Sequence, residues 1–362
     1  MKLLFTYFIP SGGIETLNRL RYHALRSIGV EAHALYLWEG AGLQNMLGIP
    51  HYVTNNNEDI KAILAQHRYD AIIVTCDHLM LERLYGLGYR GTMIYEAQGL
   101  GTKEAAASTF AFASGYIRAY AGAALSPPTS HLMALFQTYL GDFPRFYVQN
   151  MIDTDSFVHL DVPHLKPSGA PILGWIGRME QNKNWPLYLR ICSALVAGRP
   201  DLQLWVFEDA TLSEPGERDR FYAMLSELNL QNHITIRSNM PHSHMPHYLS
   251  AIADSGGMLL STSMTEGFGY AVAEAMSCRC PVLSTDSDGV RCFITHNETG
   301  KFFNGQTVWE AVQEAKELMD NKPLRAKLID NAQAHVRKAF SPARYAADIR
   351  NILIALRLMP YQ

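Results

Sequence analysis

Short apolar runs alternate with longer amphipathic stretches along the whole chain, and this alternation narrows the possible folds more than any other feature. "KLLFTYFI", "VEAHALYLW", "YDAIIVTC" and "GTMIYEA" read as strands in the first half; "PILGWIG", "LQLWVF", "HITIR", "GGMLLST" and "CPVLST" do so in the second. Amphipathic stretches such as 15–27, 185–197, 217–228 and 271–278 lie between them. Strand and helix in turn, in both halves, predict α/β domains built on parallel sheets with helices on each face. A chain of 362 residues exceeds what one hydrophobic core serves, so two such domains are expected. The aperiodic "VHLDVPHLKPSGAP" (158–171) contains three prolines and reads as the linker, which places the domains at 1–160 and 171–340. The last run, "SPARYAADIRNILIALRL" within 341–362, begins with a capping Ser341 and Pro342 and sets Ile349, Ile352, Leu353 and Leu356 on one stripe. It needs a surface to pack on, and a return to the first domain is expected.

With 48% hydrophobic and 18% charged residues the chain reads as an ordinary globule. A net charge of −3 supplies no field that would gather nucleic acid, so any polyanion must be held locally. Five dispersed cysteines without CxxC spacing suit thiols in a reducing compartment better than a disulfide framework. The opening "MKLLFTYFIPSGGIE" lacks a small-residue cleavage site and fits a first buried strand. Residues 104–125 include Arg118 and many alanines and fall short of a membrane span. Arg19, Arg21, His23 and Arg26 on the first helix would suit an anionic acceptor or a membrane surface, against the plainer alternative of a solvated face.

In open α/β sheets ligands bind at the carboxyl ends of the strands, which directs attention to three junctions. After the first strand, Gly12 and Gly13 let the backbone approach an anion near a helix start, although the G-x-G-x-x-G dinucleotide fingerprint is missing and a dehydrogenase is disfavoured. After "ILGWIG", Arg178 and Lys183 precede a helix expected to be capped by Asn184; together they could grip a diphosphate. After "GMLLST" comes "TEGFGYAVAE", with Glu266 at a loop tip and Glu274 in the second helical turn, about 10 Å apart at ~1.5 Å rise per residue. A glycosidase pair needs one acid with a raised pKa, and Glu266 at a helix start does not suit that role. As fixed acceptors the two acids suit a polyhydroxylated ligand, while the N–H groups of Phe268, Gly269 and Tyr270 face an anion. A nucleotide sugar satisfies all of these groups.

At these residues the chain resembles the group 1 retaining glycosyltransferases of the GT-B fold, whose Glu-x7-Glu motif reads E-G-F-G-x-x-x-x-E; 266–274 fits it in full. "QNMIDTDSF" is similar to the family's N-G-V-D-x-x-x-F, and "HNETGKFF" looks like its late T-G turn. The resemblance implies two Rossmann-like α/β/α domains whose parallel sheets face each other across a cleft, the first binding the acceptor and the second the nucleotide sugar. It implies that Glu266 holds donor sugar hydroxyls and steadies positive charge at the anomeric carbon, and that Glu274 takes the ribose hydroxyls. Arg178 and Lys183 would hold the diphosphate, with Gly12, Gly13, Gly267, Phe268, Gly269 and Tyr270 completing the donor site. No metal or other cofactor is implied. A UDP-sugar (UDP-glucose or UDP-N-acetylglucosamine) is the preferred donor, with GDP-mannose behind it. The acceptor would be a sugar, glycolipid or small molecule in cell-envelope polysaccharide, glycolipid or secondary-metabolite synthesis. The setting would be cytoplasmic, with peripheral membrane contact as an option. Rival readings are a nucleotide-sugar hydrolase or epimerase of the same fold, and a sugar-nucleotide-binding protein without turnover.

Three departures from the family pattern stand out. Glu96 or Gln98 falls where many members have a first-domain His; Glu208 and Asp209 replace a G-x-G; Cys292 stands where Glu is usual. "DTD" (153–155), "DSD" (286–288), the "HSHMPH" histidines (His242, His244, His247) and the pair Cys278 and Cys280 have spacings that invite a metal, but each reads better as loop, cap or core.

Overall fold

The structure, a computed structural model, describes residues 1–165 and 169–360; Lys166, Pro167 and Ser168 of the expected linker lie outside the described residues. The chain divides into two compact units, one formed by Met1–Ile152 with the segment from Phe340 onward, the other by Asp153–Ala339. The change of unit falls at Asp153, upstream of the proline-rich stretch. Asp153 Oδ1 accepts from the amides of Asp155 (3.2 Å) and Ser156 (3.0 Å), closing a turn that delivers Phe157 into the second unit. There its ring lies 4.7 Å from that of His242.

Among the described residues the first unit contains β1 (Lys2–Tyr7), β2 (Glu31–Tyr36), β3 (His51–Val53), β4 (Ala71–Thr75), β5 (Thr92–Glu96), β6 (Ala123–Ser126) and β7 (Arg145–Tyr147). They form one parallel sheet in the order β3-β2-β1-β4-β5-β6-β7. Helices α1 (Gly12–Arg26), α2 (Asn57–His67), α3 (His78–Gly86), α4 (Lys103–Tyr120) and α5 (Ser130–Leu140) make the crossovers. β1 lies inside the sheet, between β2 and β4, which is why its apolar run has no polar alternation.

The second unit has the same plan. Its strands β8 (Ile172–Ile176), β9 (Gln203–Glu208), β10 (Ile234–Ser238), β11 (Met258–Ser261), β12 (Val282–Thr285) and β13 (Lys301–Phe303) pair in parallel in the order β10-β9-β8-β11-β12-β13. Its helices are α6 (Trp185–Gly198), α7 (Glu217–Glu227), α8 (Met245–Asp254), α9 (Tyr270–Ser277), α10 (Val308–Asp320) and α11 (Lys322–Ala339). One continuous core joins strand residues Leu173, Leu204, Val206, Leu260 and Leu283 to α6, α7 and α10. The last helix, α12 (Pro342–Ala355), lies in the first unit: Ile152 N–H donates to Phe340 O (3.0 Å), and the Tyr345 ring lies beneath the Arg21 guanidinium at 5.9 Å.

The structure corrects two expectations for α1. It starts at Gly12, with φ +62° there, ahead of the 15–27 stretch read from the sequence. Of its four bases only His23 and Arg26 are exposed: Arg21 is fully buried, and Arg19 pairs with Glu15 at 3.1 Å. A continuous basic face for a membrane or an anionic acceptor is therefore absent from this helix. Among the described residues no helix is long and apolar enough to cross a membrane.

Candidate active site

The loops that follow β8 and β11 are bolted together at the carboxyl edge of the second sheet. Asn182 is the bolt: its Oδ1 accepts from the Thr265 amide (3.1 Å) and hydroxyl (2.8 Å), its Nδ2 donates to Thr265 O (3.0 Å), and its carbonyl accepts from Met264 N–H (2.8 Å). Thr262 adds a second tie, donating to Lys183 O (2.9 Å) while accepting from the buried Trp175 indole (3.1 Å). With both backbones fixed, Lys183 Nζ donates to Glu266 Oε1 at 2.6 Å, a charge-assisted contact between side chains 20% and 17% exposed. Arg178, on the same loop, is 44% exposed and rests against Glu180 at 3.0 Å. Two cations and two acids thus border the ends of the adjacent strands β8 and β11 and can meet a ligand bearing both phosphate and hydroxyl groups.

Asn184 acts differently from the expected side-chain cap. It precedes α6 in the left-handed region (φ 48°, ψ 46°) and makes no side-chain cap hydrogen bond. Its value is conformational, since asparagine tolerates this region better than most residues.

Gly269, at φ +86°, starts α9; a Cβ there would stand 2.7 Å from Val290 Cγ1. Gly289 on the loop after β12 lets the chain pass close behind the acidic loop, because a Cβ would lie 2.4 Å from Glu266 O and 2.7 Å from Phe268 N. Phe268 is buried, with ring centroids 4.8 Å from both Phe293 and Tyr270. Glu274, also buried, accepts from His242 Nε2 at 2.8 Å. The second unit therefore holds Arg178, Lys183, Glu266, Gly267, Phe268, Gly269, Tyr270 and Glu274 on two strand-to-helix junctions of one sheet.

The remaining candidates lie elsewhere or have other partners. Gly12 and Gly13 open α1 of the first unit and are exposed. Glu96 ends β5 of that unit and is 1% exposed. It accepts four hydrogen bonds: two from Arg21 (2.7 and 3.1 Å), one from Thr75 Oγ1 (2.7 Å) and one from Gln98 Nε2 (2.9 Å). Gln98 in turn exchanges amide hydrogen bonds with Asn150 (2.7 and 3.3 Å). Glu208, in place of a family glycine, is held by Arg218 (2.5 Å) and Ser238 at the ends of β9 and β10, and this hydrogen bond pushes the Arg218 pKa up. "DSD" serves Arg291, which grips Asp286 (2.7 and 3.1 Å) and reaches Asp288 at 3.3 Å. Cys292 Sγ donates to Gly289 O (3.0 Å). Cys278 and Cys280 are buried free thiols, and burial pushes the Cys280 pKa up to about 12. Among the described residues no group of three or more His, Cys, Asp or Glu is placed to hold a metal ion.

Sequence reasoning missed Asn182, Gly289 and His242 as parts of this edge. Asn182 carried a readable signal, an amide beside Lys183 in a loop after a strand. Gly289 and His242 carried none, because each depends on a contact with a segment remote in sequence.

The two parallel-sheet, Rossmann-like units have the architecture of the GT-B fold. Anabaena HepE, solved in complex with UDP and glucose, superposes with a TM-score of 0.82 over 98% of this chain and 100% of its own, at 17% identity. At that identity the likeness speaks for the fold. Residues 159–335 match the family described as "Glycosyl transferases group 1". A "Glycosyltransferase 1 domain-containing protein 1" of Xenopus tropicalis is 34% identical over 93 residues, 26% of each chain. The D-inositol 3-phosphate glycosyltransferase of Corynebacterium glutamicum (strain R) is 24% identical over 187 residues, 51% of this chain and 44% of its own. The chain thus spans less than half the length of these curated relatives.

Proposed function

We propose that the protein is a metal-independent, retaining glycosyltransferase that moves a sugar from a nucleotide-sugar donor, a UDP-sugar by preference, to a hydroxyl acceptor. The observation that carries this reading is the Lys183–Glu266 contact at 2.6 Å, with Arg178 on the same loop, at the carboxyl edge of a sheet in a group 1 glycosyltransferase segment. HepE, of the same fold, was solved with UDP-glucose bound, which supports a uridine donor.

In this reading Arg178 and Lys183 bind the diphosphate, the guanidinium by paired hydrogen bonds and the ammonium as a point charge. As the bond from the anomeric carbon to the diphosphate oxygen breaks, the leaving group gains negative charge that the two cations offset. Fixed electrostatic stabilisation of this kind usually contributes more to an enzyme's rate than any other single effect. Glu266, an acceptor on a backbone fixed by Asn182, orients donor sugar hydroxyls and steadies the positive charge at the anomeric carbon. The acceptor oxygen bonds to that carbon from the face the diphosphate leaves, and its proton passes to the departing phosphate oxygen, so configuration is retained. Glu274 takes the ribose hydroxyls. The first unit supplies Gly12 and Gly13 at a helix start and receives the acceptor: a sugar, glycolipid or small molecule of cell-envelope or secondary-metabolite chemistry. Free thiols suit the cytoplasm.

The test is incubation with UDP-glucose, UDP-N-acetylglucosamine and GDP-mannose, with and without a panel of acceptors. Nucleoside diphosphate release that rises with acceptor, with loss of turnover in Glu266→Ala, is the expected result. Release that never responds to acceptor would favour a hydrolase or epimerase; unchanged function in Glu266→Ala would favour a binding protein.

A further inference from the structure

The first histidine of "HSHMPH", His242, is built into the edge of the sheet that holds Glu274. His242 follows β10 in a single 3-10 turn (His242–His244) and reaches across to α9, where its Nε2 lies 2.8 Å from Glu274 Oε1. A carboxylate accepts only, so His242 donates from Nε2. The two side chains are 17% and 8% exposed, which shields the contact from water.

The imidazole is itself held. Its ring lies against Phe157 at 4.7 Å between centroids, with an interplanar angle of 47°. Phe157 is buried and anchored at both ends of its peptide: its amide donates to Asp153 O (3.0 Å), and its carbonyl accepts from Ser277 Oγ (2.6 Å) on α9. Ser277 lies on the same short helix as Glu274. The contacts close a ring running from Glu274 through His242, Phe157 and Ser277 back to α9. A long, flexible carboxylate side chain is thereby held in one orientation before any ligand arrives.

We propose that His242 is the positioning residue for Glu274: it fixes one carboxylate oxygen so that Glu274 presents a preorganised acceptor to the ribose diol of the donor. This rests on the reading of Glu274 as the ribose acceptor. Preorganisation lowers the ordering cost of binding and leaves the reacting bond untouched. Its loss therefore raises the donor Kd and KM while kcat changes little, because the sugar and diphosphate groups keep their own partners. Phe157 acts one step further out, through the imidazole.

The probes are UDP and UDP-glucose, titrated calorimetrically against the full-length chain and its variants. His242→Ala should weaken UDP binding about tenfold, Glu274→Ala by at least as much, and the double variant no more than Glu274→Ala alone, since His242 acts only through Glu274. His242→Gln keeps an N–H donor of similar reach and should recover most of the affinity. KM for UDP-glucose should follow Kd, with kcat within threefold. Additive losses in the double variant, or an equal loss in His242→Gln and His242→Ala, would overturn the proposal. A thermal melt of each variant keeps a folding defect from imitating the result: a collapsed His242→Ala beside a native but weakly binding His242→Gln also counts against it. Wild-type protein that binds UDP, with Glu274→Ala binding it equally well, would sink the ribose assignment rather than the His242–Glu274 link. That link would still show as a stability coupling between the two positions.

Discussion

Each unit has a glutamate paired with a cation at the carboxyl edge of its sheet, Glu96 as the last residue of β5 and Glu266 in the loop after β11, and the two pairs have opposite fates. In the first unit Arg21 and Glu96 are 0% and 1% exposed, and Glu96 has two further donors, Thr75 and Gln98. In the second, Lys183 and Glu266 share a single 2.6 Å contact and remain 20% and 17% exposed. The charge types match, and both glutamates lie at the carboxyl edge of a parallel sheet. Burial and the number of partners separate them: a sealed, saturated pair holds elements in place, whereas a half-open pair keeps hydrogen-bonding capacity for a ligand. Glu96 joins α1 to β5 through Arg21, whose guanidinium also stacks over Phe5 of β1 at 4.4 Å.

The sharpest way to break this contrast is to remove one partner of each pair. Glu96→Ala leaves a buried guanidinium uncompensated and should cost about 3–5 kcal/mol in chemical denaturation. Replacing both partners, Arg21→Met with Glu96→Leu, should restore most of the stability, and the restored protein should turn over within about tenfold of wild type. A folded double variant with no activity would instead give Glu96 a place in the chemistry, as its sequence position suggested.

In the second unit the weights reverse. Lys183→Ala and Arg178→Ala should each lower turnover by ~10²–10³, or ~2.7–4 kcal/mol in the barrier, and should cost less in folding than Glu96→Ala, because both cations keep access to solvent. Unchanged kinetics in both variants would remove the diphosphate assignment.

The contrast also marks where the sequence was legible. Central strands such as β4 and β8 showed as apolar runs, because parallel strands buried on both faces need them. The three-residue strands β3, β7 and β13 sit at sheet edges and are too short to show any period. Glu266, Glu274 and Lys183 stood out through motif and junction. Arg21 did not: on a helix bearing Arg19 and Arg26 it reads as one more solvated base, and only the fold reveals a glutamate 75 positions away. Local chemistry marked the open pair, whereas the sealed pair depended on long-range packing.

A smaller effect follows from what covers the sealed pair. Burial pushes the Tyr345 phenol from its usual 10.0 up to about 12. Between those values the unfolded chain sheds a proton that the folded chain keeps. Protons bound are then fewer in the unfolded state, so stability falls as pH rises through this window. Tyr345→Phe should flatten the decline seen in urea melts between pH 10 and 12. An unchanged slope would mean that Tyr345 does not contribute to it.

The smallest expected effect separates conformation from capping at one helix start in each unit. α1 begins with glycine in the left-handed region (Gly12, φ +62°), and α6 is preceded by asparagine there (Asn184, φ 48°). Were Asn184 a side-chain cap, alanine and glycine would both forfeit its hydrogen bond, but the structure shows no such bond. The cost must then follow the backbone. Asn184→Ala places an ordinary L-residue in the left-handed region and should lose about 1 kcal/mol. Asn184→Gly should cost only a few tenths, or stabilise slightly, since glycine enters that region freely. Because Lys183 immediately precedes this turn, the alanine variant should also lose more turnover than the glycine variant. Equal losses from both substitutions would restore Asn184 to the role of a cap.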